Sequence, residues 1–120
     1  MQYIPFTFVV LVAIEHLYIL VLEMFLWQRP RTLKIFGIPE EDGESLKVMA
    51  ANQGLYNGFL AAGLFWGLLH SNEGFGQQIQ LFFLICVLAA AVYGGFTVKK
   101  TIWGVQGIPA LLALVAVVFF

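Results

Sequence analysis

The chain has 120 residues, of which 61% are hydrophobic and 11% charged, with a formal net charge of −1 and a mean hydropathy of +0.89. Soluble domains are about 45–50% apolar and about 25% charged, so a soluble globule of this length could not hide the apolar surface, and much of it must face lipid. No polybasic footprint points to nucleic acid, and a single cysteine, Cys86, excludes an intrachain disulfide.

The length allows one domain, residues 1–120. The opening MQYIPFTFVV lacks a basic n-region and a small-residue cleavage pattern, which reads as a retained first span and not a cleaved signal peptide. A spanning helix needs roughly 20 mostly apolar residues. Four segments qualify in chain order: 3–27, 46–70, 79–98 and 102–120. Each must be helical, because an open strand leaves its backbone unsatisfied in lipid. The expected fold is an all-α integral membrane protein, four transmembrane helices in an antiparallel bundle.

The connections differ in kind. Residues 28–45 are long and charged, 71–78 short and polar, and 99–101 a tight basic turn. In the first connection LKIFGI is apolar enough to lie at the interface. Pro39 then stands where a helix can begin, with Glu40, Glu41 and Asp42 in its first turn. A short interfacial helix therefore fits between spans one and two. All six basic residues, Arg29, Arg31, Lys34, Lys47, Lys99 and Lys100, lie at the first and third connections. Basic residues favour the cytoplasmic side. Both of those loops are expected inside, with the termini and the second loop outside.

Span two carries Gly54 and Gly58 in GxxxG spacing, with Ala62 continuing that face and Gly63 and Gly67 repeating it. Span three supplies Gly94 and Gly95. Small residues let helices approach closely in lipid; these faces suit either an intramolecular bundle or a homodimer. In span four, Pro109 removes a backbone hydrogen bond, and with Gly104 and Gly107 nearby a kink is expected.

The polar residues inside the spans carry the functional argument. At about 1.5 Å per residue, Glu15 and His16 fall near the midplane of span one. Glu23 lies roughly 12 Å further towards the cytoplasm. Asn57 and Tyr56 sit near the middle of span two, Asn52 and Gln53 on its cytoplasmic side, and Gln106 at a similar depth in span four. Seven residues apart, His16 and Glu23 share a face, which Trp27 continues; Glu15 and Tyr18 share a neighbouring one. Gln53, Tyr56 and Asn57 form a stripe by their spacing of three and four. Two polar stripes in lipid are expected to face each other. An acidic residue at a helix centre costs about 2.5–3.5 kcal/mol to insert. Glu15 is accordingly expected to be protonated, or hydrogen-bonded to His16, a tyrosine or an asparagine. Glu23 is expected to pair with Lys47 or with the amides of span two.

The EHLYIL motif with its following glutamate, ANQGLYNGFLAAG, YGGFT and VQGIPA together resemble a family of small bacterial four-helix membrane proteins, domain of unknown function 1304. The resemblance spans nearly the whole chain. It implies that Glu15, His16, Glu23, Asn52, Gln53, Asn57 and Gln106 belong to the family pattern and that the protein sits in the bacterial inner membrane; it brings no activity. The architecture is more loosely similar to the small multidrug resistance transporters, four-helix chains with one membrane glutamate in the first span. This sequence departs from them by His16, Glu23, the NQGLYNG stripe and its one-sided basic loops.

Three functions are compatible with these residues. The first is a proton-coupled transporter or binder of a small apolar or amphipathic molecule. Glu15 would exchange a proton, His16 and Glu23 would extend the relay, and Tyr18, Tyr56 and Trp27 would line an aromatic pocket. The second is a structural polar network. The third is a membrane enzyme acting on a lipid or quinone-like substrate with Glu15 and His16 as acid and base. No nucleophile constellation or cofactor motif supports the third, so no cofactor is expected. No HxxxH or ExxH spacing supports a metal site. The lipid bilayer is the expected partner.

Overall fold

A computed structural model describes residues 3–120. Among them the secondary structure is wholly helical. The α-helices are α1 (Tyr3–Met24), α2 (Pro30–Phe36), α3 (Lys47–Leu69), α4 (Glu73–Thr97) and α5 (Ile108–Phe119). A 3-10 turn, Glu40–Asp42, lies between α2 and α3, and a π-helical turn, Trp103–Gly107, leads into α5. Two helices, α1 and α4, are long and apolar enough to cross a membrane; the run Trp103–Phe119 is apolar but shorter. The outward placement expected of the N-terminus concerns Met1 and Gln2, which lie outside the described residues.

Three boundaries differ from the sequence reading, each for a local reason. Helix α1 stops at Met24, three residues before Trp27. There the N–H groups of Phe25 and Leu26 share the Val21 carbonyl at 3.0 and 3.1 Å, and Pro30 disfavours helix in the residue before it. Helix α4 starts at Glu73 and not near Ile79. Asn72 is its N-cap, accepting the Phe75 N–H at 3.0 Å, and Glu73 suits the positive end of the helix. The polar run before Ile79 is thus capped helix and not loop. At the third boundary, the residues before Pro109 form the π turn, in which the Ile108 N–H reaches back five residues to the Trp103 carbonyl. A proline ring clashes with the carbonyl four residues earlier and donates nothing to it; one extra residue in the preceding turn accommodates both effects.

The chain forms two compact units. One runs to Ile14 and resumes over Leu60–Phe120; the other is Glu15–Phe59. The first has an apolar core of Val9, Val12, Leu64, Leu84, Val87 and the alanines Ala110 and Ala113. Its helices approach closely where side chains are absent. Gly63 lies against the Phe83 ring, and a Cβ on Gly67 would stand 2.9 Å from the Gly76 carbonyl oxygen. Two glutamines of α4 use side-chain amides on carbonyls of other helices: Gln80 Nε2 donates to Gly67 O at 3.2 Å and Gln77 Nε2 to Val117 O at 3.0 Å. Gly95 receives the Trp103 indole, whose Nε1 donates to Val92 O at 3.0 Å. Gly94 and Gly95 are therefore spent on the turn into the π segment.

The second unit holds the end of α1, the whole first connection and the start of α3. Trp27 is its centre. The indole is buried, packs with Leu33 and Ala50, lies tilted at 54° to the Phe36 ring with centroids 5.3 Å apart, and donates from Nε1 to Gly43 O at 3.1 Å. Gly37, at φ 71°, ends α2 in the left-handed conformation that glycine adopts without steric cost. The sequence reads residues 28–45 as a charged connector with one short helix; the structure instead folds them onto a small core of their own. Trp27 belongs to that core and lines no aromatic pocket with Tyr18 and Tyr56.

Candidate functional site

Among the buried residues of α1, Pro5, Val9, Val12, His16, Ile19 and Glu23 recur, with Ala13 and Leu22 beside them. This is the three–four spacing of one helix face. His16 and Glu23 therefore lie on the packed side of α1, at 1% and 8% exposure. Glu15, one position round the helix, is half-buried, and Tyr18 is 57% exposed.

Opposite Glu23 within the same unit stands α3, and its rotation is set by glycine. A Cβ on Gly54 would meet Met24 Cγ at 2.8 Å and Glu23 Cβ at 3.0 Å; one on Gly58 would meet Leu20. This GxxxG pair is thus used inside the chain, against α1. Asn57 precedes Gly58 on the edge of that face. Its Nδ2 donates to Glu23 Oε1 at 2.8 Å and to the Gln53 carbonyl at 3.1 Å. One amide thereby anchors the carboxyl to α3 and itself to the turn below. Lys47 does not compete for Glu23; it pairs with Glu44 at 3.4 Å.

The rest of the expected stripe turns away. Asn52, Gln53 and Tyr56 are exposed, Tyr56 at 65%, as is Ala62. The glycines bring positions 54, 57 and 58 to α1, which leaves 53 and 56 flanking the contact. Gln106 is half-buried within the π turn of the other unit. Thr97 satisfies its hydroxyl on its own helix, at Tyr93 O and 2.8 Å.

Glu15 differs from all of these. Its Oε1 is buried and has no hydrogen-bond partner, the one such side-chain atom among the described residues. A carboxyl oxygen shielded from water without a donor is costly. The arrangement therefore offers one satisfied acid, Glu23, and one that can take up a proton or a donor from outside the chain. Among the described residues no three metal-ligating side chains converge.

Sequence reasoning on polar residues inside the spans missed the Gln77 and Gln80 contacts, because it placed Gln77 in a loop and gave Gln80 no role. Gln80 meets the surface left bare by Gly67, a small residue the sequence did show, whereas nothing near Gln77 in the chain names Val117 as its acceptor.

The comparisons agree with the resemblance in the sequence. A family model described as a protein of unknown function (DUF1304) matches residues 10–118. An uncharacterized protein, YpaA, of Lactococcus lactis subsp. lactis (strain IL1403) is 35% identical over 111 residues, covering 91% of this chain and 92% of that protein. No solved structure matches significantly. The chain belongs to the DUF1304 family.

Proposed function

We infer that this is a multi-pass protein of a bacterial cytoplasmic membrane, with α1, α3, α4 and the Trp103–Phe119 run as its four spans. Residues 28–45 and the turn after Thr97 then face the cytoplasm. The composition supports this reading, as do the large apolar side chains left exposed along each helix, among them Leu11, Phe59, Phe82 and Leu112. Surfaces of that kind need lipid or a partner to cover them. The one-sided distribution of the six basic residues supports the orientation.

Within that membrane, Glu15 serves as the proton-exchanging group of a site for a small apolar or amphipathic molecule, with His16 beside it. The observation that carries this is the buried, partnerless Oε1 of Glu15. A network serving only to hold helices together would leave no such atom, and ionisable residues at membrane depth are functional by default. For Glu23 a structural reading is favoured by its bond to Asn57 and by the tight glycine contact around it. Proton relay is thus assigned to Glu15 and helix pairing to Glu23.

The test is proton movement into dye-loaded proteoliposomes under an imposed pH gradient. The parent protein and Glu23→Gln are expected to dissipate the gradient and Glu15→Gln to leave it standing, with Glu15→Gln melting no lower than the parent. Equal flux in parent and Glu15→Gln, or none in the parent, removes the coupled-transport reading.

A further inference from the structure

Within the unit Glu15–Phe59, a cleft of about 350 Å³ opens where α1 ends and α3 begins. Met24, Phe25 and Trp27 form its apolar side, and Gln28, Arg29 and Lys47 its polar side. The volume is at the lower end of ordinary ligand sites. Both cations stand where local electrostatics disfavours them. Lys47 is the first residue of α3, and Arg29 is the N-cap of α2, where it makes no capping bond. Helix starts favour negative charge and short acceptor side chains. Orientation in a membrane explains basic residues at this level of the chain; it does not explain two of them converging on one cleft beside an aromatic wall.

Two of the lining residues already contact an anion of the chain's own. Glu44 bridges two of the lining residues, one carboxylate oxygen accepting from Gln28 Nε2 at 3.5 Å and the other 3.4 Å from Lys47 Nζ. Both contacts are long, and the side chains of Lys47 and Glu44 are 53% and 74% exposed. Such an ion pair is weak and easily exchanged. The geometry points to a replaceable carboxylate marking the place of a stronger anion.

We propose that this cleft binds the phosphate-bearing headgroup of an anionic phospholipid, which displaces Glu44 and sits between Arg29, Gln28 and Lys47. Arginine and lysine both suit phosphate, the former as a two-pronged donor. The glycerol and the start of the acyl chains lie along Met24 and Phe25, and Trp27 provides the amphipathic ring that favours the headgroup level. Basic pockets of this kind on the cytoplasmic side of membrane helices hold anionic headgroups. The proposal rests on the membrane reading above.

The full-length protein, purified in mild detergent, is mixed with equal amounts of phosphatidylglycerol and phosphatidylcholine, and retained lipid is measured by native mass spectrometry. Phosphatidylglycerol is expected to be retained preferentially. Arg29→Gln and Lys47→Gln each lower that preference roughly five-fold. Glu44→Gln raises it by up to about five-fold, a gain that misfolding would not produce. Glycerol 3-phosphate in solution is expected not to displace the lipid; full displacement would make the ligand a soluble phosphate ester and overturn the lipid assignment. Equal retention of the two lipids by the parent, or no effect of the three substitutions, overturns the proposal. Carbonate washing of native membranes separates the two readings: a protein that washes off removes the membrane reading and the lipid site with it. One that stays but shows no preference removes the site alone.

Discussion

Glu23 and Glu15 are eight residues apart on one helix, yet their surroundings differ in kind. Glu23 faces a surface stripped of side chains by Gly54 and Gly58, so close that Asn57 can reach it at 2.8 Å. Glu15 lies a step off that face, with a buried oxygen that nothing bonds. The difference is one of helix rotation. Eight steps of about 100° leave Glu15 about 80° round the helix from Glu23, so the position on the glycine contact receives a partner and the one beside that face receives burial without one.

Substitutions can break or sharpen that contrast. The largest effect is expected from Gly54→Leu, whose side chain would collide with Met24, Glu23 and the Leu20 carbonyl. Backbone cannot give way cheaply, and a loss of about 1–3 kcal/mol or more is expected, read as a fall in melting temperature in detergent. Glu15→Leu has the opposite sign. Removing a buried atom without a partner stabilises by about 1 kcal/mol, seen as a higher melting temperature, whereas Glu23→Leu lowers it. If both leucines raised stability equally, the two acids would not differ as described. Asn57→Ala is expected to cost about 0.6–1 kcal/mol, the usual worth of a bond between membrane helices, and to leave Glu23 as unpartnered as Glu15. A double-mutant cycle with Glu23→Leu, which removes the acceptor, should return most of that value as coupling. The smallest effect is local: Trp27→Phe keeps the ring but loses the bond to Gly43 O. Faster amide exchange in residues 28–45 is expected, with the α1–α3 contact at Glu23 unchanged.

Much of the helical layout was legible in the sequence because it rests on short-range rules. Apolar runs mark the long helices, Pro39 marks the 3-10 turn that follows it, and Pro109 marks the irregular turn before it. The spacing of His16 and Glu23 put both on one face, which is the buried one. What was not legible depends on distant pairing. Nothing near Trp27 in the chain names Gly43 as its acceptor, so residues 28–45 read as a connector and not as a folded cap. Three amides, Asn52, Gln53 and Asn57, were equal candidates for Glu23. The choice fell to the rotation of α3, which Gly54 and Gly58 fix only once α1 is known to be their neighbour. The polar run before Ile79 looked like a loop because composition spoke louder than the single capping residue Asn72.

The π turn before Pro109 has a consequence for how the chain can tolerate change in length. A π turn holds one residue more than the α-helical turn it replaces, so WGVQG behaves as a helix turn with an insertion already absorbed. Everything downstream is rotated by about 100° relative to an uninterrupted helix, and in that rotated frame Ala110, Ala113 and Ala116, with Val117, are buried. Deleting one residue from Gly104–Gly107 would let the turn revert to the α form with Ala110, Ala113 and Ala116 still on the packed side, whereas straightening the turn without a deletion would swing Leu112 and Val115 towards the place of the alanines. The same deletion paired with Pro109→Ala would be the gentler change, since the constraint that called for the extra residue would be gone. The register of α5 is therefore set by a count of residues as much as by their identity.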